Sequence, residues 1–377
     1  MYSNDDPLRG LDRTEKLILS LRKLFSSYGY SRYRMSKFEE YDFYSRNKEF
    51  LVSEGVITFT DTDGKLMALK PDVTLSIIKN CTDRAGVRKL FYDENVYRVA
   101  GRSEPFREIK QAGLECIGEI DPYCVSEVLF LASKSLDAVS HRFVLDISHL
   151  GVITKFIGRA SRDENARSLL LRCVADKNVH GIDDICSEYG ILPEDSAPLK
   201  KLVSLYGAPE RVIESLPGIC GGIDISREIA ELESALAIFK GSDAEQNIRI
   251  DFSAVSDPNY YSGIVFKGYI DGVPGSVLSG GCYDKLMNKL GKNAKAIGFA
   301  LYLDMLGRLY KPENAYDADV MLVYGESACH PALRDAVNSI IERGYRVFCT
   351  ARPDDQVKCR FVCTFKDGKV NGIEQLS

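Results

Sequence analysis

The sequence predicts an α+β protein: an antiparallel sheet flanked by helices, interrupted by a helical insertion and followed by a small α/β domain. Three observations predict this. Aromatic-rich segments alternating with period two cluster at 89–119, 142–148 and 247–306, as expected of strands with one buried face. Between about 150 and 246 the texture changes to helical patterns separated by Gly and Pro. After a linker at Lys311-Pro-Glu-Asn-Ala315, a short β-α-β-β pattern closes the chain. The expected division is 1–310, with the insertion at about 160–246, and 316–377.

Composition narrows the class. The 377 residues suffice for two or three domains, and 45% hydrophobic with 27% charged residues is a globular balance. A net charge of -5 argues against general nucleic-acid binding, which favours a basic face. The 11 cysteines are scattered without a C-x-x-C pair, which fits free thiols in a reducing cytoplasm better than disulfides or a zinc site. The polar start SNDDPLRGLDR is not a secretory signal, and no apolar run reaches membrane-spanning length. No cofactor or metal is implied.

Taken in order, Arg13 to Ser27 reads as a helix with Leu17, Ile18, Leu21, Leu24 and Phe25 on one stripe, ended by Gly29. Tyr30 to Met35 reads as a strand. Val56–Thr60 and Lys65–Leu69 read as a hairpin turning at Asp63-Gly64. Asp72 follows Pro71 and suits a helix cap. The stretch Lys89 to Glu119 reads as two strands broken at Gly101, Arg102, Ser103 and Pro105, which puts Arg98, Gln111 and Glu115 on one face. An arginine there can grip a phosphate or carboxylate, and a carboxylate beside it can receive an amine or imidazole. A charged hairpin on an ordinary sheet reads the same way locally.

Pro122 to Ser140 reads as a long helix and Arg142 to Ser148 as a strand. The insertion shows no chemistry: Asp183-Asp184 lacks the small-residue continuation that cradles a phosphate and reads as a helix face. Strands are then expected at Asn247–Ala254, from Pro258 to Phe266, at Gly268–Asp271 and at Ser276–Tyr283. Ala296–Leu306 reads as strand into helix. The tail reads as strands Asp317–Tyr324, Tyr345–Thr350 and Arg360–Phe365 around a helix Pro331–Arg343.

Several of these segments resemble the class II aminoacyl-tRNA synthetases, and most closely the histidyl-tRNA synthetases, over roughly residues 8 to 310. Lys70-Pro-Asp-Val-Thr74 resembles R-P-(E/D)-x-T, Arg98 the arginine of the second class motif, Gln111-Ala-Gly-Leu-Glu115 the histidine-binding Q-A-G-x-E, and Tyr260-Tyr-Ser-Gly-Ile-Val-Phe266 the Y-Y-T-G-x-V-F box. Gly280-Gly-Cys-Tyr-Asp-Lys-Leu286 resembles G-G-R-Y-D-x-L, and Ala296–Leu306 the third motif. The helix and strand at 13–35 resemble the first motif, with Ser36 in place of its proline, and imply a homodimer core. The tail resembles a shortened anticodon-binding domain.

The departures have a chemical pattern. The resemblance places arginines for ATP at Ser256 and Met305, a glutamate at Ala100, an arginine at Cys282 and a glycine at Tyr302. Adenylate formation needs positive charge on the triphosphate, and each lost contact of this kind costs roughly 10²–10³ in rate. The residues of the amino-acid side remain: Asp72, Thr74, Gln111, Glu115, Tyr260 and Tyr261, with Arg98.

A synthetase-like chain altered in this way resembles the ATP phosphoribosyltransferase regulatory subunits. That resemblance implies no catalytic residues, a hetero-oligomer with a short-form catalytic subunit in the first step of histidine synthesis, and histidine as effector. Glu115, Tyr260 and Tyr261 would hold the imidazole, with Asp72, Thr74 and Gln111 near the amino group. An alternative is a divergent histidyl-tRNA synthetase, and a third a synthetase-like binding module for another partner.

Overall fold

The computed structural model describes residues 11–51, 55–81, 85–99, 106–255, 260–309, 316–325 and 330–375. Helix α1 (Arg13–Ser27) buries Leu17, Ile18, Leu21 and Phe25, residues that fall on one side of a 3.6-residue repeat. The strand expected at Tyr30–Met35 shortens to β1 (Ser31–Arg32), which pairs parallel at the rim of the sheet. A rim strand has one neighbour, so fewer ladder bonds hold it extended.

Strand β2 (Phe38–Glu40), helix α2 (Tyr41–Arg46), β3 (Thr58–Thr60) and β4 (Leu66–Leu69) come next. The hairpin expected at Asp63-Gly64 forms between β3 and β4, and β2 completes a three-stranded antiparallel sheet. Helix α3 (Val73–Asn80) starts at Asp72, whose Oδ1 accepts the Leu75 amide at 2.9 Å.

The long hairpin expected at 89–119 is β5 (Val87–Val99) with β6 (Phe106–Gly118). It is paired residue by residue from Val87↔Gly118 to Arg98↔Arg107. Helix α4 (Pro122–Val139) and β7 (Phe143–His149) follow.

The insertion is α5 (Leu150–Ala160), α6 (Glu164–Ala175), α7 (Val179–Tyr189), α8 (Pro193–Ser204), β8 (Tyr206–Gly207), α9 (Pro209–Ser215) and α10 (Ser226–Leu236). Asp183 sits on α7 and pairs with Lys200, a helix-surface role. Strand β8 and helix α9 were not expected; two residues of strand carry no detectable alternation.

The chain returns through β9 (Ile248–Asp251), β10 (Ser262–Ile270), β11 (Leu278–Cys282), α11 (Asp284–Lys289) and β12 (Lys295–Tyr302). After β12 a 3₁₀ run spans Leu303–Arg308. The main sheet has nine strands in the order β1-β5-β6-β12-β11-β10-β7-β9-β8. Its centre is antiparallel, as expected, while β1–β5 and β7–β9 pair parallel.

The contacts divide the chain into Leu17–Leu309 and a unit formed by Tyr310–Ser377 with Met1–Lys16. In the latter, β13 (Ala318–Val323), α12 (His330–Glu342), β14 (Val347–Thr350), β15 (Cys359–Lys366) and β16 (Lys369–Gln375) make a sheet ordered β14-β13-β15-β16. Strand β16 adds to the expected β-α-β-β; its polar KVNGIEQ hides the alternation. Val320, Leu322, Cys363 and Phe365 form the core under α12 residues Leu333, Ala336, Val337 and Ile340.

The two faces of the main sheet differ. On one, Phe25 of α1 meets Phe91 and Phe299 at ring-centroid distances of 5.9 and 6.1 Å, and Phe266 meets Phe299 at 6.3 Å. Edge and tilted contacts of this kind anchor an apolar layer. Alternation then turns Tyr92, Gln111, Gly113, Glu115, Gly298, Ala300 and Lys267 to the opposite face, and that face carries the cavity.

Candidate functional site

Two helix-and-hairpin features place the first half of the site. The cap at Asp72 brings the start of α3 to the hairpin, and alternation along β6 points Gln111 and Glu115 the same way. The cap also binds the hairpin: Arg98 Nη2 lies 3.4 Å from Asp72 Oδ2, while its Nε donates to the Pro71 carbonyl at 2.8 Å. Asp72 is thus both a cap and a wall of the cavity. Beneath it the fully buried Lys70 pairs with Glu94 at 2.7 Å.

Glu115 is the centre. Thr74 Oγ1 donates to its Oε1 at 2.7 Å and Tyr283 OH to its Oε2 at 2.6 Å. The carboxyl is 2% exposed. Burial pushes it up from 4.5 to about 8; the hydroxyls of Tyr283 and Thr74 oppose this and the nearby Asp72 adds to it. Asp72 is also raised by burial, against the pull of Arg98. Burial raises the phenols of Tyr92, Tyr260, Tyr261 and Tyr283 well above their usual range, so they remain donors.

Tyr260 and Tyr261 stack with centroids 4.5 Å apart, and Tyr260 lies 6.1 Å from Tyr283. A backbone device completes the seat: a Cβ at Gly298 would collide with Glu115 Oε2 and the Leu114 carbonyl. Glycine there lets the glutamate lie across β12.

All seven residues expected from the sequence, Asp72, Thr74, Arg98, Gln111, Glu115, Tyr260 and Tyr261, line one cavity of about 480 Å³. That is within the range of small-molecule sites. Gln111 is 3% exposed, and its Nε2 has no acceptor among the described residues. Sequence reasoning did not assign roles to Tyr283, Tyr92, Lys267, Ser279 and Tyr302, which line the same space. Tyr283 lies in the Gly280–Leu286 box, so that box held the signal.

The replaced positions Ser256 and Ala100, the neighbouring Asp257, Pro258 and Asn259, and the turn at Gly101–Pro105 lie outside the described residues. Met305 is half-buried on the 3₁₀ run after β12. No group of three or more metal-ligating side chains occurs among the described residues. No described helix is long and apolar enough to cross a membrane.

Chemically, two buried acids, three clustered phenols and an amide are suited to a flat, nitrogen-bearing cationic ligand. An arriving cation would turn the desolvated Glu115 into a paired carboxylate, offsetting the burial penalty.

Comparison with known proteins identifies the family. Residues 8–306 match the histidyl-tRNA synthetase family. A protein of Caldanaerobacter subterraneus subsp. tengcongensis named ATP phosphoribosyltransferase regulatory subunit is 30% identical over 290 residues, 75% of each chain. Among solved structures, an ATP phosphoribosyltransferase regulatory subunit/histidyl-tRNA synthetase from Bacillus halodurans has the same fold, with a TM-score of 0.79 at 22% identity over 93% of both chains. A chain of the ATP phosphoribosyl transferase (HisG:HisZ) complex from Thermotoga maritima shares the fold with a TM-score of 0.60 at 18% identity, over 77% of this chain and 97% of that one. The chain belongs to the histidyl-tRNA synthetase family and, within it, to the ATP phosphoribosyltransferase regulatory subunits.

Proposed function

We propose that this chain is a regulatory subunit of ATP phosphoribosyltransferase, without catalysis of its own. It assembles, on a homodimeric core, with a short-form catalytic subunit that joins ATP to phosphoribosyl pyrophosphate. Its cavity binds histidine and so carries feedback inhibition. Glu115 with Tyr260 and Tyr261 takes the imidazole, and Asp72, Thr74 and Gln111 take the amino group.

The observation that carries this reading is the make-up of the cavity. The acids and phenols of an amino-acid pocket are together, whereas its described cations are two, Arg98 and Lys267, and Arg98 is engaged by Pro71 and Asp72. Adenylate chemistry would require several cations on the triphosphate; an effector site requires that histidine bind one state of the complex better than another.

The test is an assay of ATP and phosphoribosyl pyrophosphate with a short-form catalytic subunit from the same source, with and without this chain, then with histidine. Activity that depends on the chain and falls with histidine is the expected result. No effect on that activity, with histidyl adenylate formed by the chain alone, would return the synthetase reading. Unchanged histidine inhibition in Glu115→Ala would remove this cavity as the effector site.

A further inference from the structure

The cavity continues past Glu115 along a row of residues that crosses the sheet. Register places Tyr92, Gly113, Ala300, Ser279, Lys267 and Asp146 side by side on β5, β6, β12, β11, β10 and β7. Adjacent strands are about 5 Å apart, so Lys267 stands roughly 14–15 Å from Gly113 across the floor. The three residues between Tyr92 and Lys267 are small, which makes a trough with the amino-acid pocket at one end and a cation at the other.

Lys267 lines the cavity; among the described residues its ammonium makes no hydrogen bond or close ion pair, and the charges that act on it are those of Asp251 and Asp146. Asp146 lies directly across from it on β7, yet the two do not pair. Asp146 is 7% exposed, its Oδ1 has no donor among the described residues, and burial together with Asp251 pushes it up to about 7. Asp251 is engaged instead by Lys177 at 2.7 Å. Beside Lys267, the hydroxyls of Ser279 and Tyr302 are 2.8 Å apart. One proton makes that bond, so the second hydroxyl proton is left to donate elsewhere. A half-buried ammonium and a spare hydroxyl donor at the end of a trough ask for the same partner, an anionic oxygen.

We propose that Lys267, Ser279 and Tyr302 form an oxyanion subsite, so that the cavity is two-ended: cation-accepting at Glu115 and anion-accepting at Lys267. The oxyanion is a carboxylate or a phosphate. It belongs to the free amino acid seated on Glu115 or to a separate phosphorylated molecule. The first source rests on the histidine reading above; the second does not.

Binding to the full-length chain by calorimetry separates these. The probes are L-histidine, histidinol (which lacks the carboxylate) and pyrophosphate, each tested on wild type, Lys267→Met and Lys267→Arg. If the carboxylate is the occupant, Lys267→Met weakens L-histidine at least tenfold, leaves histidinol unchanged, and Lys267→Arg restores most of the loss. If a phosphate is the occupant, pyrophosphate binds wild type and Lys267→Arg, not Lys267→Met, whatever histidine does. Pyrophosphate binding without histidine binding therefore defeats the histidine reading while the subsite stands. Equal binding of all three probes by wild type and a folded Lys267→Met, or no binding of any, overturns the subsite.

Discussion

Replacing Glu115 with glutamine tests the electrostatics of the cavity through folding stability. In the wild type burial pushes the carboxyl up to about 8 in the folded chain, against an ordinary 4.5. Between those values the folded state holds a proton that the unfolded state has released. Stability therefore falls as pH rises through this window, at up to roughly 1.4 kcal/mol per pH unit. Integrated from about pH 5 to about pH 8, the loss is roughly 3–4 kcal/mol. Glutamine has no charged form, so this component disappears. Its oxygen can accept from Tyr283 or Thr74, and its amide can donate to the other hydroxyl. Urea unfolding of both proteins across this range gives the difference directly. Asp146, also raised by burial, cancels in the subtraction; Asp72 acts on Glu115, so its share of the coupling is part of the measured difference. The variant should gain on the wild type steadily as pH rises. A difference that stays constant within about 0.5 kcal/mol from pH 5 to pH 8 would refute the claim that burial governs Glu115.

Three further substitutions probe the frame. Gly298→Ala puts a methyl group into Glu115 Oε2 and the Leu114 carbonyl; it should destabilise by roughly 1–3 kcal/mol or more and abolish ligand binding, read by thermal melts with and without histidine. Lys70→Ala strands Glu94 beside a buried gap and should cost roughly 3–5 kcal/mol in denaturant unfolding. Asp72→Asn keeps an oxygen for the Leu75 amide but removes the charge paired with the buried Arg98; it should cost roughly 3–5 kcal/mol, while calorimetric affinity for histidine falls at least tenfold.

Much of this site was readable before any coordinates. The hairpin alternation already put Arg98, Gln111 and Glu115 on one face, because a period of two is local. Asp72 was readable as a cap from the Pro71-Asp72 context. The partnership of Tyr283 with Glu115 was not, since it spans 168 positions and depends on β12 entering between β6 and β11. Lys267 was invisible for the same reason: its place in the row is set by four strand pairings, one of which, β6 with β12, joins Gly113 to the distant Ala300. Strand β1 was overestimated because alternation at Tyr30–Met35 does not reveal that only two residues find a partner. Strand β16 was missed because the polar residues and Gly372 of KVNGIEQ break up any alternation.

The bonds on Glu115 join segments far apart in sequence. Thr74 reaches it across 41 positions and Tyr283 across 168. Whatever sits between these groups acts as a removable cross-link, closing loops that the unfolded chain leaves open. Such a ligand stabilises only the folded form, by about 2.7 kcal/mol at one hundred times its dissociation constant. Because the joined segments come from both ends of Leu17–Leu309, that gain is felt by the whole unit and not by one loop. Protection of the entire unit from proteolysis, rather than of a single segment, is the signature of an occupied cavity.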